Sequence, residues 1–377
     1  MTSLIFIGLS LLQATSAFLI DSCDGMKEAV DLAQSGYVNA SMHPFADIQC
    51  DNFTTLVLDK YDMDIFSSEN LENFYGNVNV KNVRFEVTNG ANLDWETNVE
   101  FEGDDFYKNL PDVNGGALYI GQGSRVRFFN NFETTHIGVR SETAESSDFP
   151  DHQNSGGCVW NNGYFRVDGD AHMTGCESSG GGEGSPGPGG AIFNNVNGSI
   201  LFSKGVEIYD VSITDDEGNS GAGIYNLGKV NIRGNSVFED LRAEEAGAIY
   251  NGEGAIFNFK DGSNVLFNKC RAFDGIAGAI TNHGVFKFSG PAVFIGSSAD
   301  YRASSIYVGN TGVMTLKKDS YFMNSVCSDP NCSPVYVAVN GTLNYKEKST
   351  TFTSSSSRYG EALCEGVYFE DGEVCSD

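Results

Sequence analysis

The chain has 377 residues, 50 of them acidic and 23 basic, for a net charge of −27. A surface of that sign repels nucleic acid and anionic membranes, so those partners are excluded, and cations or neutral polymers suit the surface as a whole. A length of 377 residues ordinarily means two or three globular domains, unless the chain is built of repeats that each pack only on their neighbours.

Residues 1–17, MTSLIFIGLSLLQATSA, carry no charge and end with Thr15 and Ala17 at the minus-three and minus-one places. They predict a cleaved secretory signal. The apolar run is shorter than the about 20 residues that span a bilayer, and no later run is longer. The expectation is a product without a membrane span, secreted and extracellular or associated with a cell surface. Residues 18–54 read as an N-terminal cap. Within them Asp24 to Gly36 predicts a short helix, with Asp24 as its cap, Met26, Ala29, Val30 and Ala33 as its apolar stripe and Gly36 as its end. Such a helix would plug the open end of a repeat stack.

Residues 55–360 carry the repeat. Short alternating runs, Leu56 to Leu58, Val78 to Val80, Val83 to Val87 and Val99 to Phe101, come first. A regular unit then opens at Gly223-Ile224-Tyr225-Asn226 and returns at Gly247-Ala248-Ile249-Tyr250-Asn251. Its first-strand marker recurs as Leu118, Val159, Ile192, Ile224, Ile249, Ile280, Ile306 and Val335. A third-strand marker recurs as Phe129, Met173, Ile208, Phe238, Phe267, Phe294, Phe322 and Phe352. One unit is one coil of a parallel β-helix, and long loops fall on one edge at 138–157, 177–190 and 214–220. Asn161, Asn194, Asn226, Asn251 and Asn282 should form an inner amide column. Residues 361–377 read as a C-terminal tail.

Nine cysteines in a secreted chain suggest disulfides. Cys23 with Cys50, Cys327 with Cys332 and Cys364 with Cys375 are the expected pairs. Cys176 and Cys270 are expected as buried thiols, and Cys158 is left open. Asn39, Asn52, Asn197, Asn331 and Asn340 each begin an N-x-S/T sequon, and Cys332 inside the Asn331 sequon counts against that one.

The outward residues of the first strands are Tyr119, Trp160, Phe193, Tyr225, Tyr250, Thr281, Tyr307 and Tyr336. Such an aromatic file can stack on sugar rings. Equally, its rings can stack on one another or lie under loops and only reinforce the sheet. For catalysis, Asp104-Asp105 and Asp215-Asp216 are acid pairs and His283 is one of five histidines, but Asp104-Asp105 and His283 fall five coils apart. Asp215-Asp216-Glu217 offers oxygens of the kind Ca²⁺ takes, although a solvated acidic turn explains it more simply. No cofactor and no catalytic residue is assigned.

The units Gly115-Gly116-Ala117-Leu118, Gly189-Gly190-Ala191-Ile192 and Phe128-Phe129-Asn130-Asn131 resemble the GGA[ILV] and FxxN repeats of chlamydial polymorphic outer membrane proteins. Over roughly residues 55–360 the chain resembles the right-handed parallel β-helix, or pectin-lyase-like, superfamily. That resemblance implies an all-β fold, a right-handed parallel β-helix with a short N-terminal capping helix. Polygalacturonases of that fold carry Asp-Asp and Gly-His-Gly motifs, of which Asp104-Asp105 and Asn282-His283-Gly284 are partial echoes, while their Asn-Thr-Asp and Arg-Ile-Lys motifs are absent. The functional expectation is a non-enzymatic scaffold for extracellular polysaccharide or a surface protein, the alternative being a divergent polysaccharide lyase or glycoside hydrolase.

Overall fold

The computed structural model describes residues 17–35, 40–44, 47–65, 78–103, 114–140, 155–179, 189–213, 220–328, 332–346, 349–353, 356–357, 366–370 and 374–376. The architecture is an all-β parallel solenoid with one N-terminal α-helix. Residues 1–16 of the expected signal lie outside the described residues, as do most of the three long loops.

A regular coil has three short strands. In the coil that opens at Ile224 they are Ile224–Asn226, Lys229–Ile232 and Ser236–Glu239, followed by a two-residue strand, Arg242–Ala243. Side chains alternate in and out along each strand, so Ile224, Val230, Ile232 and Phe238 are fully buried while Tyr225, Asn231 and Val237 face outward. Successive coils pair in parallel register, Ile224 to Ile249 to Ile280 to Ile306, at about 4.8 Å per rung. All eight first-strand markers lie on this one ladder, which continues to Val367.

The third-strand ladder runs as expected from Met173 to Phe352. In the Leu118 coil, however, its member is Thr134 and not Phe129. Phe128 already fills the inner corner at the end of the second strand Arg125–Phe128, which leaves Phe129 at the outer side of the turn, 3.7 Å beneath the Arg127 guanidinium. The third strand of that coil starts only at Phe132.

Stacking of equivalent residues makes the core. Phe267, Phe294 and Phe322 lie face to face with centroids 4.8 and 4.7 Å apart, and Phe257 on Phe286 at 4.7 Å. Burying each such ring contributes about 2–3 kcal/mol, with about 0.5–1.5 kcal/mol more from each ring pair. The amide column forms as the repeat predicts: Asn161 donates to Asn194, Asn194 to Asn226 and Asn226 to Asn251, each at 2.7 Å, and Asn251 to Asn282 at 2.8 Å. From the Leu118 coil onward the third strands are followed by a residue held at positive φ, successively His136, Gly175, Asp210, Asp240, Lys269, Gly296 and Asn324. The left-handed conformation turns the chain through the corner in one step.

The helix spans Cys23–Gln34, and Met26, Ala29, Val30 and Ala33 are its buried face. Its cap is Ser22 and not Asp24: the Ser22 side chain accepts from Gly25 N at 3.3 Å, and Asp24 sits in the first turn, where its charge favours the helix dipole. The helix ends with Ser35, and Gly36 lies outside the described residues. Two long strands, Ile48–Asp59 and Val78–Thr88, then bend around a corner, so that Val78 to Lys81 joins the third-strand ladder and Phe85 to Val87 the first. At the other end Val367–Phe369 pairs antiparallel with Val374–Ser376.

Cys23–Cys50 and Cys327–Cys332 form disulfides as expected. The pair Cys364 and Cys375 falls outside what the structure describes, Cys364 for its position and Cys375 for its side chain. Cys270 is a buried free thiol, as expected, but Cys176 is not. It bonds to Cys158, with Cα atoms 5.5 Å apart. The two residues begin and end one coil, and a coil that closes on itself brings its last residue back beside its first.

Candidate functional site

The first-strand file is continuous in space: Tyr119, Trp160, Phe193, Tyr225, Tyr250, Thr281, Tyr307 and Tyr336 occupy successive rungs, followed by Tyr368. Tyr119 lies 4.4 Å from Trp160 with planes 2° apart, and Tyr225 lies 4.6 Å from Tyr250 at 7°. Parallel stacking occupies the ring faces. Trp160, Phe193, Tyr307 and Tyr336 are buried as well, and Tyr119, Tyr225 and Tyr250 half-buried. A sugar stacks on a ring face, so this column offers a ligand its edges and hydroxyls instead.

Thr281 leaves a gap in the file, and the His283 ring leans into it, 5.7 Å from Tyr250 and 6.0 Å from Tyr307. A Cβ at Gly309 would meet His283 Nδ1 at 2.2 Å, so the neighbouring rung needs glycine. Glu245 lies against the same column. Burial pushes its carboxyl above the usual range, opposed by the hydrogen bond from Ser220 Oγ at 3.0 Å and by the charge of His283. Burial, followed by Glu245, also pushes the Tyr225 phenol up to about 12, and burial raises Tyr250. These hydroxyls therefore stay protonated donors at neutral pH.

The outer faces are polar in distinct ways. On the third-strand face Glu133, His172 and Glu207 take consecutive rungs. His172 Nδ1 lies 3.4 Å from Glu207 Oε2, which also accepts from the Tyr209 hydroxyl at 3.3 Å. Glu133, His172, Glu207, Asp170 and Lys204 line an open depression of about 350 Å³. Further along, the same face turns apolar through Val237, Leu266, Val293 and Tyr321.

On the second-strand face Asp168 receives Arg127 Nη2 and Arg166 Nη2, each at 2.7 Å, and Ser203 Oγ at 2.8 Å. Burial alone would raise its carboxyl, but these hydrogen bonds hold it below the usual range. Three coils on, Ile256, Val285 and Val313 form an exposed aliphatic ladder. Beside it opens a cleft of about 670 Å³ lined by Asp261, Thr315, Lys317, Lys318, Tyr345 and Lys346, among others.

Asp104-Asp105 and Asp215-Asp216-Glu217 lie outside the described residues. Among the described residues no three His, Cys, Asp or Glu side chains converge as metal ligands would. Asn52, Asn197 and Asn340 are exposed, while Asn39 and Asn331 are not described. Sequence reasoning missed Glu245, the Glu133–His172–Glu207 column and the lysine cleft. The lysines had a signal, because Lys260, Lys287, Lys317 and Lys346 recur at steps close to one coil. The acid and histidine column had none, since the long loops stretch its steps and the misplaced Phe129 marker broke its phase. No helix among the described residues is long and apolar enough to cross a membrane. Comparison with protein-family models, with curated proteins and with solved structures finds no match.

Proposed function

We propose that the chain is an extracellular, non-enzymatic scaffold that binds polysaccharide along its outer faces. The observation that carries this reading is register: each outer face sets like positions one rung apart over many coils, so a polymer of repeating units meets a surface that also repeats. The three disulfides support an oxidising compartment. The Glu133–His172–Glu207 column supports a second reading, glycoside cleavage. Its two carboxylates stand two rungs apart, about 9.6 Å along the axis, near the wide end of the about 6.5–9.5 Å that inverting glycosidases use.

A polysaccharide array with and without Ca²⁺, scored for retention and for cleavage, separates the two. Retention of one or more neutral or charged polymers without new reducing ends is the expected result. Cleavage of any polymer, abolished by Glu207→Gln, would establish the second reading in its place, and absence of both retention and cleavage would overturn both.

A further inference from the structure

On a chain of charge −27, five of the 23 basic residues, Lys260, Lys287, Lys317, Lys318 and Lys346, gather at one corner of the second-strand face. Lys287 and Lys317 come close enough that the hydrogen bond and charge of Lys317 pull Lys287 below the ordinary lysine value. Like charges set together in this way destabilise a sheet. Asp261 is the one acid among the described residues lining the cleft, against three lysines. The repulsion is relieved when an anion enters. The rest of the acidic surface does little to oppose it, because charges beyond about 8 Å are screened at physiological ionic strength.

Two features narrow the ligand. No guanidinium is among the described residues lining the cleft. The bidentate fork of arginine, which matches carboxylate and phosphate alike, is missing there; an ammonium is instead a compact point charge with three rotatable donors that meets a tetrahedral oxyanion from any side. One column over, the exposed ladder Ile256, Val285 and Val313 runs parallel to the lysines and offers apolar area to the C–H face of a polymer unit. We propose that this corner binds sulfate or phosphate ester groups carried on a polymer, with Lys287, Lys317, Lys318 and Lys346 at the ester oxygens and the aliphatic ladder beneath the chain. The proposal rests on the scaffold reading and adds the class of ligand.

The test passes the full chain over dextran sulfate, uncharged dextran and polygalacturonate at 50 and 200 mM NaCl, with soluble polyphosphate as competitor. Dextran sulfate is expected to retain the protein at the lower salt and to release it at the higher. The double variant Lys287→Gln/Lys317→Gln should bind at least tenfold more weakly with a thermal midpoint no lower than the parent's, and Lys27→Gln/Lys60→Gln, changed far from the cleft, should bind like the parent. Competition by polyphosphate assigns the cleft to tetrahedral anions of either kind, and its failure narrows the site to sulfate esters. No retention, equal retention of the Lys287/Lys317 variant, or equal retention on polygalacturonate would overturn the proposal. Array polymers retained equally by parent and variant would sink this proposal and leave the scaffold reading standing.

Discussion

At the scale of single residues, the amide column is the most exacting feature of the interior. Asn251 both donates to Asn282 and accepts from Asn226, whereas Asn282 meets Val308 on the next rung and its own Nδ2 has no partner. Asn251→Ala therefore breaks two buried bonds and is expected to cost about 3 kcal/mol, since each buried group left unpaired costs about 1–3 kcal/mol. Asn282→Ala breaks the bonds from Asn251 Nδ2 and Gly284 N but also removes an orphaned donor, so a smaller cost than for Asn251→Ala should appear in urea titration. Equal costs would mean that the column acts as independent turns. Glu245 makes a prediction of opposite sign. Burial raises its folded pKa above the unfolded value of about 4.3. Its contribution to stability is then fully present below that unfolded value and is lost as pH rises through the folded one. Glu245→Gln should match the parent at acid pH and be the more stable of the two at pH 7; a loss of stability at pH 7 would show that the ionised carboxylate is needed against Ser220 and His283.

At the scale of elements, the first strands were legible because two of their three residues are forced: the inner Ile must fill the core and the Asn must find an amide above and below. The third strands were legible wherever Phe stacks on Phe and failed in the coil where Thr134 takes that place. Cys158–Cys176 was missed for a geometric reason. The repeat spacing orders residues along the axis from coil to coil, while this bond closes a single coil around its circumference. The outer faces were the least legible, since residues there answer to partners and not to packing. The helix illustrates how an end is treated. Its buried face covers the first coils, and Cys23–Cys50 with the hydrogen bond from Asp59 N to Gln34 Oε1 holds it there. Placing a charge in that contact with Met26→Asp should lift the helix from the stack and bare an open ladder end. The expected readout is a lower thermal midpoint together with concentration-dependent association by light scattering. A lower midpoint with a strictly monomeric protein would mean that the end is protected in some other way.

At the scale of the molecule, coils that touch only their neighbours still share one field. With a net charge of −27 the compact state works against its own repulsion. The reach of that repulsion is set by salt: the Debye length is about 30 Å at 10 mM and about 8 Å at 150 mM, which at about 4.8 Å per rung corresponds to roughly six coils and roughly two. At low salt each acidic rung therefore opposes most of the solenoid, and at physiological salt only its immediate neighbours. Local ion pairs such as Arg127–Asp168–Arg166 respond in the other direction, because salt weakens them. They are few beside the excess of 27 negative charges, so the global term should win. The thermal midpoint at pH 7 is expected to rise by a few degrees between 10 and 150 mM NaCl, and calorimetry at pH values approaching the isoelectric point near 4.4 should find that rise shrinking to nothing. A midpoint that falls with salt at pH 7 would reverse the balance. Stability would then reside in the pairs that stitch particular rungs together, and the acidic surface would be a neutral bystander to folding.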